Sequence, residues 1–309
     1  MNILTDIARK RETLLNLLKN KDNRTVLHNW LKTELAYTSN AIEGNTLTRE
    51  ETTLVIEEGI TSASKPLKHY QEARNHAAAY DFVLKTAENQ TPVSENIILA
   101  LHKIILSGID DANAGFYRAV KVRLSGAATI LPNPVKVPDL MAAFDAWLKS
   151  NATVEPLKAI EAHYRLVSVH PFVDGNGRTA RLLMNLMLLE SGYSPIIIRP
   201  RDRKRYLSAL EKYQTTENGD ACQTFMLESL SRSLSAAIDL LDTSKPDASG
   251  EKLMKISDFA KLCGVPASSI RYWIKIGKLS PAARTDSDYA LFSEKQIADV
   301  QLLNMGKTK

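Results

Sequence analysis

Apolar residues recur every three or four positions along most of the chain, the spacing that lines one face of an α-helix. This pattern predicts helices over 66–88, from Ser94 to about Ser107, and over 139–149, 156–169, 178–190 and 221–241. Thr48-Arg49-Glu50-Glu51 has capping-box spacing, and Gly59 is a fitting stop for the helix it opens. One stretch differs: residues 119–124 alternate in character before Ser125-Gly126, which predicts a short β-hairpin. Residues 243–250 are polar and contain Pro, Gly and Ser, the composition of a linker. Beyond them, 256–266 reads as a helix ended by Gly264 and 267–275 as a second, together a helix-turn-helix. Residues 278–292 can form a small wing, and Ser293-Glu294-Lys295-Gln296 caps a last helix. There is no internal repeat. The expected fold class is mainly α, divided into an N-terminal helical region (1–90), a helical core (91–242), a linker (243–250) and a winged helix-turn-helix (251–309).

Composition narrows the class. At 309 residues, 44% apolar and 24% charged, the chain is neither disordered, nor collagen-like, nor a disulfide-stapled mini-protein. No run approaches the roughly 20 apolar residues of a membrane span. Charged Arg9-Lys10-Arg11-Glu12 arrives too early for a signal peptide. Cys222 and Cys263 lack metal-ligand spacing and fit a reducing compartment. The expected location is the cytoplasm, with no membrane partner. The net charge of +5 is unevenly spread: residues 250–309 hold ten Lys/Arg and six Asp/Glu, leaving +1 for the rest. A basic excess in a small terminal domain is a nucleic-acid footprint or a plain solubilising surface, and only residue pattern separates the two.

The most informative stretch is His170-Pro171-Phe172-Val173-Asp174-Gly175-Asn176-Gly177-Arg178-Thr179-Ala180-Arg181. Gly175 and Gly177 allow consecutive backbone N–H groups to converge on one object. They do so where a helix begins, a position that favours an anion. Arg178 and Arg181 share the first-turn face, where the helix dipole disfavours each cation by roughly 0.3–1 kcal/mol. A bound polyphosphate would offset that cost. Asp174 is a suitable carboxylate for Mg²⁺ on phosphates, and His170 can act as a base near neutral pH. Base, metal ligand, anion nest and arginine pair within twelve residues predict a phosphate-transfer site.

This stretch resembles the Fic family motif H-x-F-x-[DE]-G-N-G-R-x-x-R at every fixed position. Gly115-Phe116-Tyr117-Arg118, Pro132-Asn133-Pro134, Arg205-Tyr206 and Asn218-Gly219-Asp220 extend the likeness over roughly 35–235, with Asn133 standing where relatives often have proline. The resemblance implies transfer of AMP from ATP to a Ser, Thr or Tyr hydroxyl of a protein target. His170 would deprotonate the hydroxyl, and Asp174 would hold Mg²⁺. Gly175, Asn176 and Gly177 would form the anion hole, with Arg178 and Arg181 on the outer phosphates. Val122, Arg123, Leu124 and Ser125 would edge the site and take the target segment as an added strand. Tyr206, Leu207 and Gln214 align with adenine-side positions. Gly177, where phosphorylating relatives carry lysine, favours AMP transfer.

Ser39-Asn40-Ala41-Ile42-Glu43-Gly44 resembles the family's inhibitory motif [ST]-x-x-x-E-[GN]. Ser39 and Glu43 are four apart, hence on one helix face. By resemblance to the subgroup with an N-terminal inhibitory helix, Glu43 would pair with Arg181 and fill the room of the γ-phosphate. His28, His69, His76, His102 and His163 read as satisfied structural histidines. No H-E-x-x-H, P-loop or kinase signature competes for the nucleotide. In the tail, Ser269-Ile270-Arg271-Tyr272-Trp273 with Gly277-Lys278-Leu279 resembles the DNA-binding domain of MerR-type regulators. Ser268, Ser269, Arg271, Tyr272 and Lys275 would face DNA, with Ile270 and Ile274 packing inward. The combined reading is an autoinhibited protein adenylyltransferase with a DNA-binding tail. Two alternatives stay open: a DNA-binding regulator whose Fic body senses nucleotide, and removal of AMP by water oriented on Glu43. A homodimer is also left open.

Overall fold

The computed structural model describes residues 2–61, 65–123, 129–150, 156–216, 218–242, 253–284 and 290–305. Among the described residues ten helices build the body: α1 (Ile3–Leu17), α2 (Lys21–Ile42), α3 (Arg49–Glu58), α4 (Leu67–Glu88), α5 (Glu95–Leu106), α6 (Val137–Lys149), α7 (Pro156–Val169), α8 (Asn176–Glu190), α9 (Arg203–Thr216) and α10 (Asp220–Leu241). The chain is mainly α, as the apolar spacing predicts. The capping box forms as expected: Thr48 Oγ1 accepts from Glu51 N at 3.1 Å and Glu51 Oε2 accepts from Thr48 N at 2.9 Å. Gly59 ends α3 in the left-handed region, with φ +68°. Ser94 stands at the N-cap of α5 but makes no side-chain capping bond. Asp145 of α6 takes that role, its Oδ1 accepting from Glu95 N at 2.8 Å. A partner 50 residues away cannot be read from local spacing.

The expected β-hairpin is a correction. Residues 119–123 and 129–133 form no strand in the structure, and the turn, with Leu124 and Ser125, lies outside the described residues. Alternation gives a segment two faces, but a strand also needs a partner for its ladder bonds. Here Arg118 supplies donors instead, reaching the carbonyls of Val120 at 3.2 Å and Pro132 at 2.7 Å.

One hydrophobic cluster runs from Ile7 and Leu14 of α1 through Leu31 and Leu35 of α2 to Leu183 and Met187 of α8 and Leu230 and Leu234 of α10. The N-terminal helices therefore share the core of the body. Helix α8 lies at its centre, buried continuously from Arg178 to Leu188. Burying each large apolar side chain contributes about 1.5–3 kcal/mol, which holds the N-terminus of α8 rigidly in place. That rigidity positions the motif loop.

The tail has a core of its own. Strands β1 (Met254–Lys255), β2 (Ala283–Arg284) and β3 (Ala290–Phe292) form an antiparallel sheet in the order β1-β3-β2, with Met254 opposite Phe292 and Ala283 opposite Leu291. Helices α11 (Ile256–Cys263), α12 (Ala267–Lys275) and α13 (Ile297–Met305) pack on it around Phe259, Ile270, Trp273, Phe292 and Val300. The Phe259 and Phe292 rings stack with centroids 4.6 Å apart. Gly264 closes α11 with φ +68°, as expected. The wing tip (285–289) and the expected linker (243–250) lie outside the described residues. No helix among the described residues is long and apolar enough to cross a membrane.

Candidate active site

The loop between α7 and α8 is fastened from several sides. Asn176 grips Phe172 twice, its Oδ1 accepting from Phe172 N and its Nδ2 donating to Phe172 O, both at 2.9 Å. The Phe172 ring stacks on His102 with centroids 3.6 Å apart. His102 Nε2 donates to the Asp174 carbonyl at 3.0 Å, while its Nδ1 accepts from Gly115 N at 2.9 Å. Burial lowers the His102 pKa to about 4, which keeps the neutral form that this pattern needs. Gly175 sits directly over the ring with φ +78°, where a side chain would meet both strain and His102.

His170 leaves α7 with φ +49°, a left-handed conformation unusual for a non-glycine residue. Its Nδ1 lies 3.3 Å from the Val167 carbonyl. A carbonyl only accepts, so Nδ1 carries the hydrogen and Nε2 keeps its lone pair. Burial, joined by the Arg118 cation, lowers the His170 pKa to about 4, so the ring is neutral at pH 7. Arg118 is buried and binds three carbonyls; besides Val120 and Pro132, its Nε donates to His170 O at 2.8 Å.

The two motif arginines are already paired. Arg178 Nη1 lies 3.2 Å from Glu72 of α4, and its Nη2 lies 3.3 Å from Asp174 Oδ1. Arg181 donates to Glu43 Oε1 at 2.7 Å, to Ser39 Oγ at 2.9 Å and to the Ser39 carbonyl at 3.0 Å. Burial alone would lower the Arg181 pKa, but the Glu43 carboxylate and the Tyr206 hydroxyl together more than offset it and hold the cation charged. The negative charge that a polyphosphate would bring to this helix N-terminus is thus supplied here by Glu72 and Glu43. The Glu43 carboxylate also lies against Gly177, where an added Cβ would collide with Oε1. Glu43 and the second loop glycine are therefore in contact.

Asp174 is half-exposed, and its Oδ1 accepts from Gly175 N at 2.6 Å. Its Oδ2 faces Lys68 at 3.8 Å. No group of three or more His, Cys, Asp or Glu that could hold a metal occurs among the described residues. One carboxylate still fits Mg²⁺ that arrives with phosphates, because such sites use one or two protein carboxylates.

Other expected residues fall less simply. Tyr206 is buried, its hydroxyl between His163 Nε2 at 2.9 Å and Arg181 Nη1 at 3.4 Å, so it braces Arg181. Leu207 is partly exposed, and Gln214 Nε2 reaches the Val167 carbonyl at 3.5 Å. Val122 and Arg123 follow the Arg118 clamp in irregular backbone. His28 bonds Tyr80 and His69 bonds Thr46, as structural histidines should. His76 departs from that expectation, because neither ring nitrogen has a partner among the described residues. Burial lowers its pKa to about 3 and keeps it neutral. Sequence reasoning gave no role in the site to Arg118, Glu72, His102 or Arg203, whose Nε donates to Ile42 O at 2.6 Å at the end of α2. All four reach across 50 or more residues, so no local signal could have found them.

In the tail, Ile270 is buried and Ile274 half-buried, as expected. Arg271 and Lys275 both reach the body: Arg271 pairs with Glu57, and Lys275, still exposed, lies 3.5 Å from Glu51. Tyr272 is exposed, and Ser268 and Ser269 are half-buried.

Known proteins resemble both parts. The Fic/DOC family profile matches residues 92–188, and the MerR family regulatory protein profile matches 255–292. Over 178 residues the chain is 36% identical to the protein adenylyltransferase Fic of Drosophila melanogaster, covering 57% of this chain and 36% of that protein. The chain thus spans about a third of the length of the curated relatives it matches. A Fic domain-containing signalling protein from Bacteroides thetaiotaomicron superposes with a TM-score of 0.70 at 28% identity, covering 78% of this chain and 98% of that one. A single-substitution variant of Fic-1 from C. elegans gives 0.71 at 27% identity, covering 79% of this chain and 73% of that one. The stretch 92–188, which holds the motif loop, is thus similar to the Fic/DOC family.

Proposed function

We propose that the chain transfers AMP from ATP to a hydroxyl group of a protein target and that Glu43 restrains it. The observation that carries this reading is His170: a neutral imidazole with its Nε2 lone pair available, held at the edge of a helix N-terminus suited to phosphates. The relatives named protein adenylyltransferase support the same chemistry. The target oxygen attacks the α-phosphorus of ATP, its proton passes to His170 Nε2, and the bond to pyrophosphate breaks. Backbone N–H groups at the start of α8 receive the phosphate charge, which orients the nucleotide. Asp174 would hold Mg²⁺, which when bound would supply positive charge to the phosphates. Arg181 becomes available to the outer phosphates once Glu43 leaves it.

Arg118 ties this chemistry to the segment beside it. Its guanidinium joins the His170 carbonyl to Val120 and Pro132, so one side chain holds the base and both flanks of the 121–131 segment. Arg118→Lys keeps the charge but not the fork of donors. We expect kcat for transfer to fall on the order of ten- to a hundredfold with nucleotide affinity nearly unchanged. Single-turnover labelling with isothermal titration of a non-hydrolysable ATP analogue checks this.

The tail supports binding to double-stranded DNA, since a winged fold with a basic second helix meets a match to the MerR family. The direct test of the main reading is incubation with α-labelled ATP and lysate, followed by mass spectrometry. A gain of AMP mass on Ser, Thr or Tyr of a target is expected. Label that remains only as free AMP would refute transfer.

A further inference from the structure

The helix that carries the tail's basic residues is covered by an acidic helix of the body. Helix α12 packs against α3, whose sequence Arg49–Glu58 holds Glu50, Glu51, Glu57 and Glu58 against one arginine. Arg271 pairs with Glu57, and Lys275 lies 3.5 Å from Glu51. These are the two cations of α12, four residues apart on one face, and they are what a phosphate backbone would contact.

The contact is poorly suited to be a permanent core. A cavity of about 240 Å³ opens between tail and body where α12 meets α2 and α3, lined among others by Trp30, Thr53, Glu57, Arg271 and Ile274. Tail and body each have a separate hydrophobic cluster, so the tail does not depend on α3 for its own packing. The Arg271 and Glu57 side chains stay 21% and 37% exposed, and partly exposed ion pairs are weak and sensitive to salt.

We propose that α3 is an internal stand-in for the DNA backbone: Glu51 and Glu57 occupy Lys275 and Arg271, so DNA and the body compete for the same face of α12. This rests on the reading of the tail as a DNA-binding domain. It assigns a role to α3, which the AMP-transfer chemistry does not use.

The test measures anisotropy of a labelled 20-base-pair duplex with the full chain at fixed salt. Glu51→Gln/Glu57→Gln removes both charges, while the amide oxygen then present at position 51 can still accept the capping bond from Thr48. This variant should bind about tenfold more tightly than wild type, since each weak pair accounts for up to about threefold. Glu12→Gln/Glu88→Gln, on α1 and α4, removes the same charge elsewhere and should change affinity less than about twofold. In wild type, saturating duplex should speed hydrogen exchange of amides 49–58. Equal binding by wild type and Glu51→Gln/Glu57→Gln, with Arg271→Ala/Lys275→Ala weakening it, would overturn the masking while leaving the DNA reading intact. No binding by either would overturn both. If the paired substitution impairs folding, unchanged exchange of 49–58 with bound duplex overturns the masking by itself.

Discussion

Glu43→Gly should raise AMP transfer on the order of a hundredfold, and Arg181→Ala should not raise it. Glu43 is bound to Arg181 and lies against Gly177, the place that the proposed function gives to the outer phosphates of ATP. Arg181 is buried but the Glu43 side chain is 39% exposed, so the pair is worth less than the roughly 3–5 kcal/mol of a fully buried one, and the roughly 2.8 kcal/mol of a hundredfold gain also draws on clearing the carboxylate from Gly177. Loss of the glutamate can therefore raise the competent population on the order of a hundredfold. Arg181→Ala breaks the same pair but deletes the cation that ATP would use, so nothing is gained. Labelling of a target or of the chain itself, compared for wild type, both variants and the double variant, reads the outcome. A Glu43→Gly variant with no gain would remove the inhibitory role. Loss of AMP release from a modified target in that variant would instead favour the hydrolytic reaction, with Glu43 orienting water.

His170→Ala, made in the Glu43→Gly background, should abolish transfer and leave ATP affinity within about threefold. General-base catalysis contributes about 10²–10⁴-fold, while phosphate binding falls to α8 and its arginines. The pH dependence carries a second signature. The base works only when deprotonated, and burial lowers its pKa from 6.5 to about 4. Transfer by Glu43→Gly should therefore persist below pH 6.5 and be lost as pH falls through about 4. An acid limb at 6.5 would mean that the ring is not in the buried setting seen here. Retained transfer in His170→Ala would exclude it as the base.

The legibility of this chain differs sharply between its parts. Helix positions follow from apolar spacing because each is a local property: α7 spans Pro156–Val169 as the pattern predicts, and α8 starts only two residues earlier than its predicted 178. The motif loop is legible for the same reason, since its glycines, base, carboxylate and arginines sit within twelve consecutive residues. The pairing of Glu43 with Arg181 follows from the family resemblance, and 138 residues of sequence separation hide it from any local argument.

Residue order was enough to establish a mainly α chain, the loop between α7 and α8, and a small basic winged tail. What those groups do to one another came from packing alone. Packing turned Arg118 into a clamp on three carbonyls, set Glu72 on Arg178, left residues 119–123 and 129–133 outside any strand, and laid Arg271 and Lys275 on α3. The reason is physical: spacing along the chain fixes which face of a helix a residue occupies, whereas the partner of that face depends on how distant helices close around a shared core.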